Sequence, residues 1–452
     1  MTTRPAYIRP TLVRHRSGLM NKMGAGPAVR PQSDVAGVDV ETLVEAYGSP
    51  LFVYDEQNIR DTWRELHDAL VRRYPKVALA WSYKTCYLDA ICRIYHQEGA
   101  LAEVVSGMEF RKARGNGIAV QDIVYNGPHK DEETLTEALL GGARVHIDHF
   151  DELALCERIA RAHNIQPAVA IRLNIHTSTQ PRWDRFGFNL DTGQARDAVR
   201  RLVAGGQLRL TGLHCHLGTF ILDARAYAEA TRKLVGFANG LRSELGIVLD
   251  TIDLGGGFAS KNRLRSQYLP SEQVAPSLSQ YAEQIVDGLA GLDYRPHELP
   301  TLILETGRAL IDEAGTLITT VVANKRLADG RRAMVVDAGV NVLFTAFWYQ
   351  HRLTPTKEPA GAPEPTMVYG PMCMNIDVVG NNVMMPPIAA GNRMLVTPVG
   401  AYNVTQSMQF IELRPAVCVV RPDGSHHIIR RREVLTDLTG PEVVPDWLGG
   451  DA

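Results

Sequence analysis

Between residues 77 and 307 the chain repeats one pattern, a short apolar run rich in β-branched residues followed by a longer amphipathic stretch. The apolar runs are 77–84, 101–106, 122–126, 144–148, 168–174, 210–216, 251–255 and 301–307. Runs that stay apolar without alternation predict strands covered on both faces, as in a parallel sheet. Helical spacing separates them. In 87–96, Leu88, Ile91 and Tyr95 share a face, and 131–140 has the same period. Eight such units in roughly 250 residues predict a closed (β/α)8 TIM-like barrel rather than an open sheet. A helix over 61–74, with Trp63, Leu66, Leu70 and Tyr74 at helical spacing, precedes the first run, and a short strand, 51–54, precedes that helix.

After Arg308 the period changes. Strands are predicted at 317–323, 333–337, 366–369, 393–398, 416–420 and 426–429, split by turns such as Pro422-Asp423-Gly424. This is the pattern of an antiparallel β domain. The stretch 354–365, rich in Pro, Gly and Glu, predicts a mobile surface loop. The domain reading is therefore 1–49 as an N-terminal arm and the start of the β domain, 50–310 as the barrel, and 311–452 as the C-terminal β domain.

Composition narrows the function. The 452 residues are 45% hydrophobic and 22% charged, enough for two cores. The net charge of −2 points to neither a nucleic-acid nor a membrane-surface partner. No apolar stretch approaches the roughly 18–20 residues of a membrane helix. The first 24 residues are basic through Arg4, Arg9, Arg14, Arg16 and Lys22, without the apolar core of a secretory signal. They read as an arm packing on the protein or on a partner subunit, with a transit peptide as the alternative. Cys86, Cys92, Cys156, Cys215, Cys373 and Cys418 are scattered, with no Cys-x-x-Cys pair, which predicts reduced thiols and a cytoplasmic protein.

Barrel active sites lie at the carboxyl ends of the strands. Those ends carry Lys84, Ser106, Asn126, Asp148, Asn174, His216, the run Gly255, Gly256 and Gly257, and Glu305 with Arg308. A lysine at the end of a buried strand is desolvated toward the neutral amine that condenses with an aldehyde. Consecutive glycines let backbone N–H groups approach a phosphate, although they also make an ordinary strand-to-helix turn. His214 and His216 alternate along a strand and share a face, which leaves a metal-ligand pair or hydrogen-bonded core and rim histidines open; no metal is expected. Together the groups suit an aldehyde cofactor with a phosphate and a ring nitrogen, pyridoxal 5'-phosphate.

The order of motifs is specific: Tyr83-Lys84, Glu103-x-x-Ser106, Asn126-Gly-Pro, Gly212-Leu-His-Cys-His-Leu-Gly-Thr219, Asp253-Leu-Gly-Gly-Gly-Phe258, Glu305-x-Gly307-Arg308, Gly370-Pro-x-Cys373 and Gly400-Ala-Tyr402. In that order the chain resembles the decarboxylases of the alanine-racemase fold (fold type III) that depend on pyridoxal phosphate, among them diaminopimelate and ornithine decarboxylases. The resemblance implies a barrel followed by a β domain, and a homodimer with shared active sites. It implies Lys84 as the covalent anchor of the cofactor, Glu305 as the carboxylate on its ring nitrogen, and His216 stacked on its ring. Ser106, Thr219, Gly255, Gly256, Gly257, Gly307, Arg308 and Tyr402 complete the implied cofactor site. Cys373 is implied as the group directing protonation once carbon dioxide has left.

Arg308, Thr345, Tyr349, Met374 and Asp377 are the implied substrate contacts. Two of these depart from the diaminopimelate pattern. Met374 stands where the resemblance implies an acidic residue for a distal amino group, and Thr345 where it implies an arginine for a distal carboxylate. Thr306 replaces the usual proline after Glu305. The expected activity is decarboxylation of an α-amino acid, modified, conjugated or carrier-bound rather than meso-diaminopimelate. The alternatives are an amino-acid racemase, which needs a second base, and an inactive regulatory homologue, which is expected to lose Lys84 or Cys373.

Overall fold

The structure is a computed structural model that describes residues 30–265 and 267–449. The chain divides into two compact units. One comprises Glu56–Ala314 together with Gly400–Thr405; the other comprises the described residues up to Asp55, then Gly315–Val399, then those from Gln406 on.

Among the described residues of the first unit, eight parallel strands form its barrel: β1 (Val77–Ser82), β2 (Leu101–Val104), β3 (Ile123–Tyr125), β4 (Arg144–Ile147), β5 (Ala168–Asn174), β6 (Arg209–Cys215), β7 (Thr251–Asp253) and β8 (Thr301–Leu304). Each pairs with its successor, and β8 returns to β1, so the sheet closes. The eight-stranded reading is the one observed. Most strands stop short of the predicted end because the polar residue there leaves the hydrogen-bond ladder for the loop above.

Burial explains the uniform apolar runs. Leu79, Ala80 and Trp81 on β1 and Leu302, Ile303 and Leu304 on β8 are almost wholly buried whichever face they take. The helices cover the outside with one face each: Glu56–Val71 buries Ile59, Trp63, Leu66 and Leu70. Several start on side-chain caps, as where Ser106 accepts from the Glu109 N–H at 3.3 Å and begins Gly107–Gly115.

The second unit is built on a sheet in the order Val378–Met385, Glu364–Tyr369, Arg332–Val336, Gly315–Arg326, Leu51–Asp55, Ala416–Val420, His426–Arg430. Arg393–Thr397 also pairs with Gly315–Arg326, and Arg352–Pro355 with Arg393–Thr397. Most pairings are antiparallel, as expected, but Arg332–Val336 with Glu364–Tyr369 and Leu51–Asp55 with Ala416–Val420 are parallel. Its core gathers Leu43, Leu51, Val53, Ile318, Leu395 and Cys418. The loop expected at 354–365 is shorter. Thr354 and Pro355 are buried in a strand and Glu364 and Pro365 open the next, which leaves 356–363 between them. The strand Val378–Met385 was not expected, because Gly380-Asn381-Asn382 breaks its alternation and Asn382 takes a left-handed φ of 56°. Among the described residues no helix is long and apolar enough to cross a membrane.

Candidate active site

The polar ends of the barrel strands converge on a set of buried charges. Lys84 lies in the short turn Tyr83–Thr85 after β1. Its Nζ donates to Glu103 at 2.7 Å (Oε1) and 2.9 Å (Oε2). Register makes the pair: Glu103 on β2 lies beside Ser82, two residues before Lys84. Burial pushes the Lys84 ammonium down, but the charges of Glu103, Tyr402 and Glu305 outweigh it and hold the amine above its ordinary value. Burial raises the Glu103 carboxyl against the pull of Lys84, and with Glu103 beside it the buried Glu109 carboxyl is pushed up to about 7.

Glu305, just past β8, is 4% exposed. Its Oε1 accepts from Asn126 Nδ2 at 2.7 Å. His214 Nε2 stands 3.5 Å from Oε2, and His146 Nδ1 3.7 Å from Oε1. The two imidazoles stack with centroids 4.5 Å apart. Burial holds both well below the usual histidine range, so they are neutral neighbours of the carboxylate. Asp253 lies 4.0 Å beyond His146, accepts from the Gly255 N–H at 2.8 Å, and is raised well above the usual carboxyl range by burial and by the Glu305 charge.

His216 accepts at Nδ1 from the Gly256 N–H at 3.0 Å, which fixes its ring. Burial, then the Arg172 and Lys84 charges, keep it neutral. Trp183 meets it edge-on at 5.7 Å, from a loop that Asn174 pins by donating to the Trp183 and Phe186 carbonyls at 2.8 and 2.9 Å. The glycine run permits close approach. Gly255 and Gly257 have φ of 63° and 98°, and a Cβ on Gly255, Gly256 or Gly257 would collide with His216, the Glu305 carbonyl or the Gly218 carbonyl respectively. The Gly255 and Gly256 N–H groups serve Asp253 and His216. Gly307 is equally confined, against Thr85. Arg308 lies 4.7 Å over the Tyr402 ring, and Tyr402, with φ of 64°, donates its N–H to the Thr85 carbonyl at 2.9 Å. Ser106 is spent on its helix cap and Thr219 is exposed.

The residues fit the cofactor. An amine stands at the mouth, and a carboxylate flanked by neutral imidazoles suits a protonated ring nitrogen. Buried polar atoms without a hydrogen bond among the described residues, His214 Nε2, His146 Nδ1 and Asp253 Oδ2, gather beside that carboxylate. His146, His214 and Glu305 also have the spacing of metal ligands, their ligand atoms lying within 4.8 Å. Their stacked rings and the Asn126 bond suit an organic ring equally well. Glu103 was legible as part of a motif but not as the partner of Lys84. His146 and Arg172 were missed; the signal was an ionisable residue inside an otherwise apolar run.

The other named residues lie in the β unit. Cys373 is exposed. Met374 beside it is half-buried. Thr345 is 1% exposed and its hydroxyl is 3.0 Å from His351 Nε2. Tyr349 is buried, its N–H bonded to the Thr345 carbonyl at 2.9 Å. Asp377 is 2% exposed and accepts from the Val340 and Met372 N–H groups, both at 2.8 Å. Its two oxygens are committed to the backbone.

A parallel barrel with a buried lysine and carboxylate at its strand ends suits an enzyme of pyridoxal phosphate. The model of the pyridoxal-dependent decarboxylases, pyridoxal binding domain, matches residues 57–312, and the chain belongs to that family. It is an amino-acid decarboxylase that uses pyridoxal phosphate. The diaminopimelate decarboxylase of Actinosynnema pretiosum is 31% identical over 420 residues, 90% of this chain and 92% of that one. That of Methanocaldococcus jannaschii is 28% identical over 92% of this chain and 95% of its own. A crystal structure of the M. jannaschii diaminopimelate decarboxylase superposes with a TM-score of 0.83 at 26% identity, covering 93% of this chain and 98% of that one, and it has also been solved with L-lysine.

Proposed function

We propose that the α-amino acid decarboxylated here lacks a second charged amino-acid end: a modified, conjugated or carrier-bound amino acid rather than meso-diaminopimelate. The observation that carries this is the pair Met374 and Thr345. Neither position holds the charge that the family resemblance implies, and the Thr345 hydroxyl already faces His351. Asp377, the remaining candidate for a substrate amine, is committed to two backbone N–H groups. A distal zwitterion without partners loses its hydration uncompensated, whereas an amide or ester end does not. The second reading, diaminopimelate itself, is supported by the names of the relatives above.

Bound pyridoxal phosphate supplies an aldehyde that condenses with an amine, and a ring that accepts the electron pair left when carbon dioxide departs. The protein supplies the rest. Glu103 takes the Lys84 proton when that amine must act as a nucleophile. Glu305, aligned by Asn126 and flanked by neutral imidazoles, holds a proton at the ring nitrogen. His216 presents a fixed neutral face, and Cys373 Sγ carries a transferable proton. We further propose a homodimer with shared active sites, and a cytoplasmic location in keeping with six free cysteines.

Carbon dioxide release from diaminopimelate, measured beside neutral and conjugated α-amino acids, tests the substrate. Diaminopimelate is expected to show kcat/KM at least about a hundredfold below the best substrate, roughly 2.7 kcal/mol. Met374→Glu with Thr345→Arg should narrow that gap. Efficient turnover of diaminopimelate by the unaltered enzyme would establish the second reading.

A further inference from the structure

The loop that carries Cys373 hangs on one buried carboxylate. Asp377 Oδ2 accepts from the N–H of Met372, the residue before the cysteine, and Oδ1 from the N–H of Val340 on a separate turn, each at 2.8 Å. Two backbone bonds close the loop on Asp377 itself: its N–H reaches the Met374 carbonyl at 3.1 Å, and the Gly370 N–H reaches its carbonyl at 3.3 Å. The fit admits no side chain nearby. A Cβ on Gly370 or on Gly339 would collide with the Asp377 carboxylate, and one on Gly370 also with the Gly339 backbone. So Met372, Met374 and Gly370, which bracket the cysteine, are all referred to one residue, Met372 through the Asp377 side chain and the other two through its backbone, while Cys373 stays exposed.

We propose that Asp377 is a positioning residue for proton delivery by Cys373: it sets the path of the loop and does not meet the substrate amine. The proposal rests on the reading of Cys373 as the proton source after decarboxylation. Correct delivery breaks the S–H bond and forms a C–H bond at the substrate's α-carbon, so the product is carbon dioxide and an amine. Delivery instead to the carbon that was the cofactor's aldehyde gives another balanced outcome. The substrate then leaves as carbon dioxide and an aldehyde one carbon shorter, and its nitrogen stays on the cofactor as pyridoxamine phosphate. The fraction of turnovers ending in pyridoxamine phosphate therefore reports where the proton goes, independently of how fast the enzyme runs.

The experiment uses the full-length holoenzyme and the amino acid that releases carbon dioxide fastest in the panel above. Pyridoxamine phosphate and pyridoxal phosphate are separated and counted after a fixed number of turnovers. Asp377→Asn keeps the shape but turns an N–H group toward one of the two backbone N–H groups. It should raise the pyridoxamine fraction at least about tenfold, as should Cys373→Ala. Ile376→Ala, an exposed site in the same loop, should leave it unchanged. Gly370→Ala pushes the loop off the carboxylate from the other side and should match Asp377→Asn, so it decides the matter if Asp377→Asn does not fold. If Cys373→Ala diverts turnovers while Asp377→Asn and Gly370→Ala only slow them, the positioning role is overturned and the proton-source reading stands. If Cys373→Ala diverts none, both fall.

Discussion

Lys84 and Cys373 are held in different ways, and the two units differ accordingly. In the barrel, buried ionisable side chains are fixed by other side chains: Lys84 by Glu103, Glu305 by Asn126, Arg172 by Asp148 at 3.7 Å. These three buried charges each have a polar partner, which offsets part of the cost of taking them out of water. In the β unit the cysteine is exposed, and its loop is fixed through the backbone by Asp377. Substitutions around the barrel site should therefore change charge state and chemistry. Those around the cysteine loop should change where a proton lands.

The largest test of that contrast is Lys84→Ala. It should lower carbon dioxide release by about four orders of magnitude and abolish borohydride fixation of the cofactor, while the circular dichroism spectrum keeps its shape. Fixation at another lysine would remove Lys84 from its role. Mixed with Cys373→Ala subunits, it should recover up to about a quarter of wild-type activity if the proposed homodimer shares its sites.

Glu305→Gln comes next. Glutamine can still accept from Asn126 but carries no charge, so kcat should fall roughly 100- to 1,000-fold with the cofactor still bound. A loss of cofactor with unchanged turnover of the remaining holoenzyme would mean that Glu305 serves binding alone.

The smallest effect concerns His146. Burial, with the neighbouring His214, holds it far below the ordinary imidazole range, so the folded chain leaves it neutral. An unfolded chain protonates it as pH falls through about 6.5. The unfolded state then binds more protons, and stability falls with falling pH below that point. Replacing His146 by Asn should make this acid loss shallower in the apoprotein by up to about 1.4 kcal/mol per pH unit, read as melting temperature from about pH 7 to about pH 5.5. An unchanged slope would show that His146 is protonated in the fold.

Much of the barrel site was legible because one rule, polar residues at strand ends, locates it. Lys84, Glu305, His216 and the glycine run all follow it. The rule does not say who faces whom. Glu103 meets Lys84 because Ser82 and Glu103 are in register. Likewise His214 and Arg172 are paired positions on β6 and β5. Register is a property of the closed sheet, and a single uniformly apolar run carries no trace of it. In the β unit the strands with clean alternation could be read, whereas Val378–Met385 hid behind Gly380-Asn381-Asn382. The tether of Asp377 was not legible, because it depends on the turn at Gly339 and Val340, far away in sequence.

The division of the chain has a consequence for synthesis. The segment Gly400–Thr405, which brings Tyr402 to Arg308, belongs to the barrel unit yet leaves the ribosome after all of Gly315–Val399. The strand Leu51–Asp55 belongs to the other unit yet emerges before any barrel strand, and one of its neighbours, Ala416–Val420, is made near the end. Neither unit is contiguous, so no single cut of the polypeptide yields either one whole. A nascent chain released at residue 314 would hold all eight barrel strands but lack Tyr402, and one begun at residue 56 would lack a central strand of the other sheet. Both units become complete only when translation is almost finished.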